Sequence, residues 1–183
     1  EKVFDGEFSY ATAMNGDVAA VETDGKWDLI GADGKMLTDA GYDGVILDEK
    51  GIVFRNDRVF VEKDNQVIMI DREGNKIGEQ TYDDAELFLQ ADGYAAVEVS
   101  GKWGFVDKEG KMVIEPRYEA ARSFCNQFAA VKKDGSWGFI DTTGKPVIEF
   151  AFEDAKDFNE RGCVFVKING KWKILKLMRN NYK

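Results

Sequence analysis

Histidine is absent from the 183-residue chain, and proline and cysteine occur only twice each. The missing imidazole removes the commonest general base, the Ser-His and Cys-His nucleophile pairs, and every zinc site that needs a ring nitrogen. Cys125 and Cys163 lie 38 residues apart without CxxC spacing, and two buried or half-buried free thiols are expected rather than a disulfide. No run approaches the ~18 apolar residues of a membrane span, and no signal-peptide core is present. The chain starts at Glu1, so an upstream segment, a cleaved export signal or other residues, is expected.

What is present is a 44% apolar, 13% aromatic composition, enough to build a core and too patterned for disorder. The 34 acidic residues outnumber 25 basic ones, giving −9, which disfavours a nucleic-acid partner held through a broad basic face. The charge is uneven. No acid follows Glu160, and Arg161, Lys167, Lys171, Lys173, Lys176, Arg179 and Lys183 make the last 23 residues +7. Because these residues interleave with apolar ones, a solvated strand face is expected there, with contact to an acidic partner as the alternative.

Self-similarity dominates the pattern. Val97 to Phe124 reads VEVSGKWGFVDKEGKMVIEPRYEAARSF, and Val131 to Phe158 reads VKKDGSWGFIDTTGKPVIEFAFEDAKDF. In register, Trp27, Trp103, Trp137 and Trp172 share one slot, which Val67 fills in a degenerate copy. A valine stands six residues before each: Val21, Val61, Val97, Val131 and Val166. Seven residues after the first four slots come Gly34, Gly74, Gly110 and Gly144, and fifteen after come Tyr42, Tyr82, Tyr118 and Phe152. Phe4 is the matching aromatic of a copy that begins upstream. A second aromatic follows six residues later at Tyr10, Phe88, Phe124 and Phe158, with Asp48 as the exception.

All length variation falls between the aromatic and the next valine, so inserts are confined to one connection per copy. Residues 1–183 are thus read as one repeat domain with approximate units 4–41, 42–81, 82–117, 118–151 and 152–183. Each unit of ~35 residues must stack on its neighbours to bury its apolar side chains.

Within a unit, Tyr94 to Val99 and Trp103 to Asp107 read as strands around a tight turn. Asp107-Lys108-Glu109-Gly110-Lys111, like Asp71 to Asn75 and Asp141 to Lys145, is a turn with an Asp cap and a positive-φ glycine. Met112 to Glu115 is a third strand. The Glu-Asp-Ala-x-x-Phe stretch, as in Glu153 to Phe158, is expected to be a turn or a single helical turn.

The repeated Gly-Lys-Trp-Gly-Phe-Val-Asp at 101–107, Gly-Ser-Trp-Gly-Phe-Ile-Asp at 135–141 and the following Gly-Lys-x-Val-Ile-Glu resemble the bacterial WG (KWG) β-repeat family. The resemblance covers nearly the whole chain. It implies an all-β tandem repeat, often in exported or envelope-associated proteins, without established catalytic activity, and it supplies no site residues. An open twisted array of three-stranded meanders is expected, and a closed five-bladed, propeller-like ring is the alternative.

The repeated tryptophans are expected in the core between units, with Gly104 and Gly138 allowing a bulge or a close backbone approach. The recurring Asp71, Asp107 and Asp141 are read as turn caps rather than a catalytic carboxylate pair. No calcium loop or P-loop occurs. No catalytic residue, metal or cofactor is therefore expected. The leading expectation is a non-enzymatic module for protein binding or scaffolding, acting through the insert-bearing loops around Met14 to Asp17 and Leu47 to Arg58. If so, deleting Asp48 to Asn56 should abolish partner capture and spare the fold. The alternative is a carbohydrate- or cell-wall-binding module using Tyr10, Phe88, Phe124 and Phe158 as exposed stacking surfaces, and a carboxylate-only glycoside hydrolase comes last. Oligomeric state stays open, and an exported or envelope location is expected ahead of a cytoplasmic one.

Overall fold

A computed structural model describes residues 6–48, 51, 53–89, 93–159 and 161–176. Phe4, Arg179 and Lys183 lie outside the described residues. The fold is all-β: among the described residues there is no helix, and the small antiparallel sheets have three to four strands, none closed into a barrel. Two compact units are formed, Glu1–Leu87 with Lys108–Lys111, and Phe88–Asp107 with Met112–Lys183.

The first unit holds the sheet β1 (Tyr10–Ala11), β2 (Val18–Thr23), β3 (Lys26–Gly31), the sheet β4 (Gly44–Val45), β5 (Val59–Lys63), β6 (Gln66–Ile70), and the short β7 (Asp84–Ala85). In the second unit β8 (Ala95–Val99), β9 (Lys102–Val106) and β10 (Met112–Tyr118) run side by side. The sheet β11 (Ala120–Ala121), β12 (Phe128–Lys133), β13 (Ser136–Asp141), β14 (Pro146–Phe152) follows, then β15 (Asp154–Ala155), β16 (Cys163–Ile168), β17 (Lys171–Lys176).

The valine and tryptophan strands are joined by two-residue turns with both φ positive, from Asp24-Gly25 to Asn169-Gly170. That is the twist-matched way to close an antiparallel hairpin. Their pairing is in register, with Lys132 opposite Trp137 and Lys167 opposite Trp172.

Two expectations are revised. The Glu-Asp-Ala segment is not a helical turn: Ala120–Ala121 and Asp154–Ala155 are strands that pair with Lys132/Val131 and with Lys167/Val166. Backbone hydrogen bonds to the next valine strand outcompete a helical turn too short to be stable alone. The third strand, moreover, is continuous only where glycine follows tryptophan. A Cβ on Gly104 would lie 2.6 Å from Ile114 O, and one on Gly138 would lie 3.0 Å from Ile148 O. Opposite these glycines β10 and β14 come close and bulge, as expected. Where Asp28 or Ile68 stands instead, pairing shrinks to single bridges, Trp27 to Tyr42 and Ile30 to Met36, then Val67 to Tyr82 and Ile70 to Lys76.

Packing repeats as well. One core joins Ala20 and Leu29 of the first sheet to Val59, Val61 and Ile70 of the second. In the second unit, Ala96 and Phe105 meet Ala129, Val131 and Ile140, and Ala130 and Phe139 meet Val164 and Val166. Within the second unit the sheet of β11 to β14 therefore gives one face to the sheet before it and the other to the sheet after it, as a stacked repeat requires.

The turn glycines hold this spacing. Gly34, Gly74, Gly110 and Gly144 have φ of +77 to +84°. A Cβ on Gly74 would run into Thr38 Cγ2, one on Gly110 would lie 3.0 Å from Gly78 Cα, and one on Gly144 would lie 2.6 Å from Arg117 Nη2. The turn of one repeat thus rests on the third strand of the repeat before. Tyr42, Tyr82, Tyr118 and Phe152 are all buried. Cys125 is buried and Cys163 half-buried, both as free thiols.

Candidate binding surface

The valine strands are entered through tight turns. Asn15 bridges Val18, Arg55 bridges Arg58, and Cys125 bridges Phe128, with Asn56, Asp57, Asn126 and Gln127 all at positive φ. Asn and Asp tolerate that region better than most side chains. In the first unit two of these turns are tied together by Arg72. Its Nε donates to Asp57 Oδ1 at 2.6 Å, Nη1 to Asn15 O at 2.7 Å, and Nη2 to Asn15 Oδ1 at 3.2 Å. Asn15 Nδ2 donates in turn to Phe54 O at 3.3 Å, and the guanidinium lies 4.9 Å from the centroid of the Phe54 ring. A planar donor fork packed on an aromatic face is what arginine, not lysine, provides.

Beside Arg72 opens a depression of about 400 Å³ lined by Asp17, Gly31, Asp33, Leu37, Arg72 and Glu73. Gly31 occupies the slot that holds the turn-capping Asp71 and Asp141 in other repeats. Those caps behave as expected: Asp141 Oδ1 accepts from the N–H of Thr143 at 2.8 Å and of Lys145 at 3.1 Å, and Asp71 Oδ1 from Glu73 and Asn75 at 3.0 and 2.8 Å. Desolvation pushes both carboxyls up, but the turn hydrogen bonds outweigh it and leave both below the ordinary 3.8. In the first repeat the cap moves to Asp33, held below its ordinary value chiefly by the Lys35 N–H at 3.0 Å. A Cβ on Gly31 would sit 2.9 Å from Asp33 Oδ1, so the shifted cap occupies space that a bare glycine leaves. Met14 is 50% exposed and Leu37 37%. The surface is acidic with aliphatic patches.

The expected insert loop is different in kind. Val53 and Phe54 are 0% and 2% exposed and belong to the core, so deleting Asp48 to Asn56 would gut that core rather than trim a loop. Counted back from the valine, Phe54 stands seven residues before Val61, as Phe124 stands before Val131; the second aromatic is displaced by the insert, not lost at Asp48. Counting forward from Tyr42 hides it. Glu49, Lys50 and Ile52 lie outside the described residues.

The proposed stacking aromatics are also corrected: Phe88, Phe124 and Phe158 are at most 4% exposed, and only Tyr10, at 49%, faces solvent. Phe105 and Phe139 hold Phe124 and Phe158 in edge contacts at 4.8 and 5.0 Å. The tryptophans grade from core to surface. Trp27 and Trp103 pack half-buried on their clusters, Trp137 is 9% exposed and Trp172 44%. Arg122 and Lys156, equivalent in the repeat, lie 5.6 and 5.3 Å from the ring centroids of Trp137 and Trp172. Among the described residues no group of three acidic or thiol side chains is placed to hold a metal, and no helix is long and apolar enough to cross a membrane.

The family model described as "WG containing repeat" matches residues 1–27, 69–103, 103–137 and 137–172. The gap, 28–68, is where Val67 replaces tryptophan and the insert lies. No curated protein matches the sequence. Among solved structures, Kluyveromyces lactis Hsv2 is similar at TM-score 0.54 and 12% identity, over 87% of this chain and 56% of that one. A eukaryotic initiation factor is similar at TM-score 0.60 and 12% identity, over 93% and 52%. At such identity the likeness is one of fold, and the chain spans about half the length of these structures.

Proposed function

Because the chain belongs to the WG-repeat family, we propose that it is a non-enzymatic repeat module that binds a protein partner through the turn face of its first unit. One observation carries this reading: Arg72 locks the turns at Asn15 and Asp57 into one surface beside the acidic, leucine-edged depression. Such a surface costs little ordering on binding, since its turns are already fixed. The partner it suits presents basic groups toward Asp17, Asp33 and Glu73 and an aliphatic side chain toward Leu37. The recurring carboxylates Asp71 and Asp141 accept hydrogen bonds from their own turns, which supports the non-enzymatic reading.

The test is affinity capture with quantitative mass spectrometry, comparing wild type, a Leu37→Lys/Glu73→Lys double variant, and the charge-matched control Val147→Lys/Glu149→Lys, both of whose positions are exposed. All three should unfold at the same temperature, because the altered side chains are exposed or at the surface. A set of proteins retained by wild type and control but lost by the double variant is the expected result. Equal retention by all three would overturn the proposal.

A further inference from the structure

The last sheet differs from the one before it in a way that points to a second binding surface, on the second unit. In the sheet of β11 to β14 the tryptophan strand β13 has β14 on its outer edge, with Trp137 opposite Phe152, Phe139 opposite Ile148 and Ile140 opposite Pro146. The equivalent strand β17 pairs only with β16, and among the described residues no strand lies on its other edge. Every upstream repeat fills this edge at the tryptophan slot: Trp27 N donates to Tyr42 O at 2.8 Å and Val67 N to Tyr82 O at 2.8 Å. Trp172 is the corresponding residue of β17.

The face beside that edge is uncovered too. Phe139 and Ala130 are 0% and 2% exposed, whereas their equivalents Ile174 and Phe165 are 63% and 50% exposed. An apolar strand edge left in this state is a template for a further strand. The charge selects which kind. Lys171, Lys173 and Lys176 flank Trp172 and Ile174, and all three are exposed. The strands that fill this edge elsewhere carry Val113-Ile114-Glu115 and Val147-Ile148-Glu149 before their aromatic.

We propose that the outer edge of β17 takes up an extended acidic peptide segment of the type Val-Ile-Glu-x-x-aromatic from a protein partner. The segment adds as an antiparallel strand, with its aromatic opposite Trp172 and its aliphatic pair over Ile174, while its carboxylates face the lysines. Main-chain bonds at Trp172 supply affinity, and the alternating side chains supply selection. This surface lies in the second unit and does not depend on the turn face of the first.

The experiment uses the full chain and a fluorescein-labelled peptide with the sequence of residues 145–154, Lys-Pro-Val-Ile-Glu-Phe-Ala-Phe-Glu-Asp, read by anisotropy. Saturable binding is expected, weakened by salt, and reduced about tenfold or more by Ile174→Lys, since burial of one aliphatic side chain carries at least that factor. Because Ile174 is exposed, the thermal transition of the variant should match wild type. Hydrogen exchange should slow at the Trp172 amide when the peptide is bound, and the Leu37→Lys/Glu73→Lys variant should bind it as wild type does. No binding, binding unchanged by Ile174→Lys, protection that omits β17, or self-association that the peptide does not compete would each overturn the proposal.

Discussion

Replacing Gly110 and Gly101 by alanine separates two costs that a repeat glycine can carry. Both have nearly the same backbone, φ +77° and +72°, so both variants incur the left-handed penalty of about 1–2 kcal/mol. Their surroundings differ. A Cβ on Gly101 meets nothing within 4 Å, whereas one on Gly110 would lie 3.0 Å from Gly78 Cα and 3.1 Å from Ile77 O. Both of these neighbours are backbone, which cannot rotate away, and forced overpacking of this kind costs about 1–3 kcal/mol more. Gly110→Ala should therefore lose about 2–5 kcal/mol. Gly101→Asn should cost least, because Asn65 occupies that turn position in the second repeat at φ 63°. Urea unfolding followed by tryptophan fluorescence reads the order from the midpoints. Equal midpoints for Gly110→Ala and Gly101→Ala would refute the claim that turn glycines set the distance between repeats.

Other outcomes follow from the same contacts. Phe54→Ala should destabilise by about 3–5 kcal/mol, whereas Leu47→Ala, at a 39% exposed position, should change stability by less than about 0.5 kcal/mol; thermal unfolding distinguishes a core insert from a free loop. Trp137→Ala should cost several times more than Trp172→Ala, since the first ring is buried and the second half in solvent, and a reversed order would contradict the packing scheme. The depressed carboxyls of Asp71 and Asp141 contribute stability that is present above their ordinary value of 3.8 and is lost as pH falls through their lower folded values. An Asp71→Asn/Asp141→Asn variant should therefore lose less stability between pH 5 and pH 2 than wild type, and an identical pH profile would show that these caps carry no charge-dependent stabilisation.

Repetition makes much of this fold readable, because any feature that recurs at a fixed place in four or five copies stands out from chance. The tight hairpins, the aspartate caps, the positive φ of Gly110 and Gly144, and the close approach at Gly104 and Gly138 are all legible in that way. The partners of those glycines are not, since contact with the third strand of the preceding repeat is a tertiary fact. The weak third strand of the first two repeats was written in Asp28 and Ile68, but its meaning depends on seeing how near β10 and β14 come to glycine. Ala120–Ala121 and Asp154–Ala155 carry a helical spacing that tertiary pairing overrides. Phe88, Phe124 and Phe158 show the limit for function: periodicity reveals that an aromatic recurs, not whether it faces solvent or the next sheet. The candidate surface was the least legible part. It arises from a repeat that departs from the pattern, where Gly31 replaces the capping aspartate and Arg72 reaches turns 15 and 57 residues away in sequence.

The central claim, that the first unit binds a partner through its turn face, is tested most directly by hydrogen-exchange mapping of the chain with and without the protein recovered by affinity capture. Slowed exchange concentrated at Asn15 to Val18, Ala32 to Leu37 and Arg72 to Asn75 is the predicted result. Protection confined to other segments, with these three unchanged at saturating partner, would contradict it.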